Sequence, residues 1–234
     1  MENVLFEARI ALIEQAGADA RLRDADQPRV AAADVEGEMT GLQLAVLAIL
    51  DNATNYEWSV QGFGVLRLYI RRVGRLHVWD SALRYPNVSM IHNHSWDLRS
   101  DVVFGHLQNT RYNETSWLPG MSNPEPFCKQ RLVTGYKTHM VSPVEHVELS
   151  HYPVEIYLPG DVYQQRAHEI HCTNAADGTV TLMARNEDEN GQADVYWPRS
   201  GTWGTAKPRP ATREEIEATV AKVLVTDGPT PRMK

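Results

Sequence analysis

Cysteine is scarce in this chain: Cys128 and Cys172 are the only two in 234 residues. Two cannot make a disulfide framework at this length, so free thiols in a reducing compartment are expected. Basic residues are the minority charge, 23 Lys and Arg against 30 Asp and Glu, for a net charge of -7. That balance excludes a nucleic-acid binder working through a general basic surface, although local basic clusters are compatible with it. No run approaches the roughly 18 apolar residues of a membrane span. Met1-Glu2-Asn3 opens into an amphipathic stretch with acidic residues, unlike a signal peptide. The expectation is a soluble, cytoplasmic protein with no membrane partner. Sequons at Asn52, Asn87 and Asn113 carry no weight without a secretory signal. Internal repeats and low-complexity tracts are absent.

What remains is a chain long enough for one generous domain with helical additions. Val4 to Arg23 and Gly41 to Asn52 are rich in helix formers, joined by a polar connection from Asp24 to Gly37. From about Tyr56 the texture changes to short runs of Val, Ile, Tyr and Thr punctuated by Gly, Pro, Asn and Asp, which predicts antiparallel β structure. Strands are expected at Gly64 to Arg72, Arg75 to Trp79, Val88 to His94, Asp101 to Tyr112, Arg131 to Met140 and Val144 to Tyr152. Further strands follow at Val154 to Leu158, Val162 to Gln165, Glu169 to Thr173, Thr179 to Arg185 and Ala193 to Trp197. Asp177-Gly178 reads as a hairpin turn, and Asn113 to Lys129 as a long loop able to form a lid or rim. Thr212-Arg-Glu-Glu215 is a capping box that opens a short helix to about Val225, before a loose tail. The organisation expected is a helical extension over 1–55, a mainly β domain over 56–200, and a linker, short helix and tail over 201–234. Many short strands with helices at both ends fit a jelly roll better than a βαβ fold.

The chemistry concentrates in His92-Asn93-His94 and in the segment that ends at His171. Imidazoles at i and i+2 of a strand point to one face and can grip a metal ion from one side while a distant strand supplies a third ligand. Val88, Met90, His92 and His94 share parity, so both histidines lie beside apolar neighbours and need something to satisfy them. A lone histidine there would read as a core or rim residue; the pair with a matching downstream element reads as a metal grip. His168 and His171 fall on opposite faces of a strand, so one of them faces inward. His168-Glu-Ile-His171 is one residue short of the helical zinc-protease pattern and sits in turn and strand, which excludes that class.

These motifs resemble a known family. His92-x-His94 followed by Asp97 and Gly105 resembles the first cupin motif, and Gly160-Asp161 with His171 the second. Within cupins the chain is similar to the cysteine dioxygenase-like thiol dioxygenases, whose Ile-His-x-His matches Ile91 to His94 and whose Tyr, His and Asn match Tyr163, His171 and Asn174. The likeness covers about Gly64 to Arg185, roughly half the chain. Asp97 stands one residue early for the usual cupin glutamate, and Arg166 and His168 replace the expected proline and glycine. The family's Ser-x-His-x-Tyr trio falls on Thr181, Met183 and Arg185, which speaks against cysteine itself as the substrate.

The resemblance implies a cupin-type double-stranded β-helix, or jelly roll, with Fe(II) held by His92, His94 and His171. Arg67, near the place of the family's carboxylate-binding arginine, or Arg185 would hold a small anionic substrate, with O2 beside it and Tyr163 nearby. Three neutral histidines leave three positions on Fe(II) for substrate and O2. Asp97 is either a fourth ligand or an acceptor that orients an imidazole N–H, with a pair to Arg99 as the purely structural option. Arg67, Tyr69 and Arg71 share a strand face that either binds an anion or is solvated. Two other readings stand beside the dioxygenase: a Zn, Mn or Ni cupin isomerase, epimerase or lyase, and a non-catalytic small-molecule-binding cupin.

Overall fold

The computed structural model describes residues 39–71, 73–114, 118–134, 139–185, 192–203 and 207–226. The helix expected at Val4 to Arg23 and most of the expected tail lie outside them. The chain enters through helix α1 (Gly41–Leu50). Thr40 caps it reciprocally: its hydroxyl accepts from Gln43 N at 3.2 Å, while the Gln43 side chain accepts from Thr40 N at 2.9 Å. A short 3-10 turn (Ala53–Asn55) leads into the strands.

Those strands are β1 (Trp58–Gln61), β2 (Phe63–Ile70), β3 (Gly74–Arg84), β4 (Ile91–His92), β5 (Leu98–Phe104), β6 (Leu107–Asn113), β7 (Glu125–Thr134) and β8 (His139–Val141). They continue with β9 (Glu145–His151), β10 (Glu155–Tyr157), β11 (Val162–Gln165), β12 (Ile170–Ala175), β13 (Val180–Arg185), β14 (Gln192–Pro198) and β15 (Arg209–Pro210), before helix α2 (Arg213–Thr226). One sheet runs β11-β5-β13-β3-β2-β1-β15 and the other β10-β6-β12-β4-β14-β7-β8. The molecule is therefore mainly β, with two antiparallel sheets in a jelly-roll-like arrangement. In the second sheet β9 pairs with both β6 and β7, so the path β6-β12-β4-β14-β7-β9 returns to its start.

Alternation along the first sheet decides what lies on each side of it. Leu66 and Leu68 of β2, Leu76 and Val78 of β3, and Val180 and Leu182 of β13 form one core with Val46, Ile49 and Leu50 of α1 and Ile216, Val220 and Val223 of α2. Each large apolar side chain buried this way stabilises the fold by about 1.5–3 kcal/mol. Residues of opposite parity, including Val65, Trp79 and Met183, join Trp96, Leu98, Val102, Leu107 and Tyr163 in a second core. A third, built from Phe127, Leu149, Ile170 and Tyr196 with Ile91 and Tyr112 against it, belongs to the second sheet. Helix α2 is pinned by charge as well: Asp80 accepts from Thr219 Oγ1 at 3.0 Å and from Lys222 Nζ at 2.5 Å, and Asp177 takes the same ammonium at 3.0 Å.

Several expectations about the strands change, and the residues expected as one strand from Arg131 to Met140 are divided between the end of β7 and β8, which pair with each other. The single strand expected from Asp101 to Tyr112 is two, because Gly105 breaks it at φ 71, and a Cβ there would stand 2.6 Å from Thr179 Oγ1. Asp177-Gly178 does form a turn, closed by Thr179 N to Ala176 O at 3.1 Å, yet it joins no hairpin. Its flanking strands β12 and β13 belong to different sheets, so the turn carries the chain between them. The loop expected from Asn113 to Lys129 yields its last residues to β7, which starts at Glu125 beside Leu149 of β9. Finally, the strand expected from Val88 to His94 shrinks to Ile91–His92.

Candidate metal centre

Strand β4 is short but held on both edges. His92 is the Cα partner of His171 on β12 and of Val195 on β14, while Ile91 faces Cys172 and Tyr196. Directly opposite residues on neighbouring strands share a face, so the register alone sets His92 beside His171. Asn93 then ends the strand by making ladder-like bonds through its side chain: its Oδ1 accepts from Asp194 N at 2.7 Å and its own N donates to Asp194 O at 3.0 Å. His94 leaves the strand, and its carbonyl accepts from His168 N at 2.6 Å. His94 lies just past the end of β4, and its ring meets that of His92 as the i and i+2 spacing expects.

The three imidazoles pack around one point. Ring centroids are 4.6 Å apart for His92 and His94, 4.7 Å for His92 and His171, and 5.3 Å for His94 and His171. One ring nitrogen from each lies within 4.8 Å of the others. His171 Nε2 and His94 Nε2 approach to 3.3 Å. Metal–nitrogen bonds of about 2.0–2.1 Å set ligand nitrogens roughly 3.0–3.4 Å apart, so this pair already has ligand spacing. His171 is buried, and His92 and His94 are partly buried.

The second nitrogens of two rings fix which nitrogen is free. His92 Nδ1 lies 3.0 Å from Met90 O, an acceptor only, so it carries the proton and leaves the lone pair on Nε2. His171 Nδ1 lies 3.2 Å from Asn109 Oδ1, which also accepts from Thr173 Oγ1 at 3.2 Å. Such outer partners orient metal-binding imidazoles and raise their basicity. Phe63 stacks parallel on His92 at 5.1 Å, and Trp96 stacks on His94 at 4.0 Å. Burial lowers the pKa of His92, which its bond to Met90 opposes. Burial also holds His94 and His171 well below the ordinary imidazole value, reinforced for His94 by the other two rings, Arg75 and Arg185. All three are thus favoured in the neutral form that binds a metal ion. The donor set and its outer partners fit such an ion, and these three histidines can hold one.

The other candidate residues fall in different places. Asp97 stands outside the three-histidine group; its Oδ1 accepts from Ala167 N at 2.7 Å, tying the turn before β12. His168 is exposed in that same turn at φ 66 and is likewise outside the group. Tyr163 is buried on β11 in the core that holds Trp96, Trp79 and Met183, and desolvation pushes its phenol up to about 12. Arg67 is half-buried on β2, where its Nε donates to Ser59 Oγ at 3.2 Å and its guanidinium meets the Gln61 side-chain oxygen. Arg185 lies with its guanidinium carbon 5.2 Å from the centre of the Trp96 ring.

Arg75 was not singled out from the sequence, although it shares parity with His77 and Trp79. Its guanidinium carbon is 5.6 Å from the Trp96 ring centre and 5.0 Å from that of Tyr69. Burial and the neighbouring arginines pull its pKa down to about 10, with Tyr69 opposing them. His77, opposite Arg67 and Thr181 in register, is pushed down to about 3 by burial and by Arg75 and Arg67. Its Nε2 is buried without a hydrogen-bond partner. The outer partners Met90 and Asn109 were also missed; polar groups supplied by a neighbouring loop and strand leave no pattern around the histidines. No protein-family model and no curated protein matches this sequence.

Proposed function

We propose that this chain is a mononuclear non-heme iron oxidoreductase of the cupin type, a dioxygenase that acts on a small acidic molecule with O2. The reading rests on one observation above the others: three neutral imidazoles whose free nitrogens gather at one point, two of them oriented through Nδ1 by Met90 O and Asn109. Fe(II) bound there would keep its positive charge and open positions for substrate and O2.

The chain's own groups supply the rest. Met90 and Asn109 keep the imidazole lone pairs aimed inward, and Phe63 and Trp96 cover two of the rings. Arg75 and Arg185 lower the pKa of His94, so their charge reaches the centre and would attract an anion to it. Tyr163 packs in the core with Trp96, the ring stacked on His94, and so backs that side of the centre. Thr181, Met183 and Arg185, standing where the thiol dioxygenases carry Ser, His and Tyr, speak for an acidic substrate other than cysteine.

The three-histidine set also accepts Zn, Mn or Ni, for which Lewis-acid isomerase, epimerase or lyase chemistry is the competing reading. Metal analysis and oxygen uptake on protein purified without chelator separate the two. Iron at about one ion per chain with oxygen consumption on adding small carboxylic acids, thiol-bearing ones included, supports the dioxygenase. Zinc, manganese or nickel without oxygen uptake supports the competitor, and a protein that takes up no metal contradicts both.

A further inference from the structure

Three arginines from three adjacent strands meet on the inner side of the first sheet. Arg67 of β2 lies opposite His77, Arg75 of β3 lies opposite Tyr69 and Met183, and Arg185 of β13 follows Met183 by two residues. Among the described residues none of the three forms an ion pair with a carboxylate within 4.0 Å. They differ in what already occupies them. Arg67 is engaged by Ser59 Oγ and the Gln61 side chain, which fixes its place and uses its donors. Arg75 and the exposed Arg185 both lie within 5.6 Å of the centre of the Trp96 indole, whereas Arg67 sits over Tyr69 at 4.7 Å. Aromatic contact leaves in-plane N–H donors of a guanidinium available, although Arg75 also hydrogen-bonds the Tyr69 side chain.

Like charges gathered without acidic partners raise the free energy of the fold, and a ligand of opposite charge relieves that cost. The indole that carries both guanidiniums is the one stacked on His94 at 4.0 Å. A ligand held by them would therefore stand one indole ring away from His94, against the pocket that both arginines line with Tyr69, Gly74 and Met183. Arg75 and Arg185 are diagonal neighbours across β3 and β13, a relation that sets Cα atoms about 7–8 Å apart. Two guanidiniums rooted on neighbouring strands present two sets of donors, which suit two anionic groups on a short chain.

We propose that Arg75 and Arg185 form a two-point clamp for a small molecule with two separate carboxylates, with Trp96 as the shared platform. This deepens the function proposed above by naming its substrate class, and it assigns a binding role to Arg75. The clamp does not need the metal, so the two ideas fail separately.

The test is calorimetric titration of protein freed of metal with a neutral bipyridine chelator. The probes are malonate, succinate and glutarate, with acetate and inorganic phosphate for comparison. The tightest dicarboxylate should bind about tenfold or more tighter than acetate or phosphate. Arg75→Met and Arg185→Met should each remove that advantage, Arg75→Lys should keep part of it, and Arg213→Met, an exposed arginine of α2 paired with Glu217, should leave it unchanged. If Arg75→Met does not fold, Arg75→Lys and Arg185→Met still decide the matter. Dicarboxylates no tighter than acetate, phosphate as tight as the best dicarboxylate, or an advantage that survives both arginine variants would overturn the clamp. Dicarboxylate binding by a protein that never takes up metal would leave the clamp standing and remove the iron reading.

Discussion

His171 depends on Asn109 for its chemistry. The amide oxygen lies 3.2 Å from Nδ1 and accepts from Thr173, whose hydroxyl is also 3.2 Å from that nitrogen, so the two side chains together hold the ring plane of a candidate ligand on β12. Replacing Asn109 with Ala removes that acceptor without touching the ligand set. Metal affinity should fall by roughly 10–100-fold, the usual cost of losing an outer partner, while the unfolding transition shows a folded protein. Unchanged affinity in a competitive metal titration would mean that Asn109 plays no part in orienting the ring. At this scale the sequence was informative for the histidines and silent about their support. His92, His94 and His171 stand out because imidazoles next to apolar residues need an explanation. Asn109, Met90 and Arg75 look ordinary in a strand or loop until the register places them.

The elements that carry these residues are joined by polar contacts as much as by apolar packing. Asp177 ties the turn between the sheets to β3 and α2, accepting from Ser81 N at 2.7 Å, from Ser81 Oγ at 3.1 Å and from Lys222 Nζ at 3.0 Å. These bonds, the Ser81 backbone N–H first, lower its pKa below the ordinary carboxylate value. A carboxylate with a depressed folded pKa contributes stability above its unfolded pKa and loses it as pH falls through the folded one. Asp177→Asn should therefore cost on the order of 1 kcal/mol or less near neutrality, because the group is partly exposed. That cost should shrink toward zero in acid. Thermal unfolding of wild type and variant from neutral pH down through the carboxylate range checks it; a difference that grows in acid would contradict the sign. The same turn shows where the sequence misled. Asp-Gly between two strand patterns signals a tight turn, which is present, but the signal says nothing about whether the flanking strands pair.

For the whole molecule, the mainly β character was legible because period-2 alternation and turn residues are local. The two-sheet arrangement followed from the number of strands and the lack of a βαβ pattern. Closure of β6, β12, β4, β14, β7 and β9 into a ring was not legible, since it depends on β9 finding two partners far away in sequence. The same long-range pairing explains the site. His92 and His171 are 79 positions apart and meet only because β4 enters between β12 and β14.

By this insertion His92, His94 and His171 become a candidate metal centre. The most direct measurement is bound metal per chain, by elemental analysis, in the wild-type protein and in His92→Ala, His94→Ala, His171→Ala and His168→Ala. About one ion per chain is expected in the wild type, kept in His168→Ala and lost in the other three. A wild-type protein without metal, or a site emptied by His168→Ala but not by His171→Ala, would contradict it.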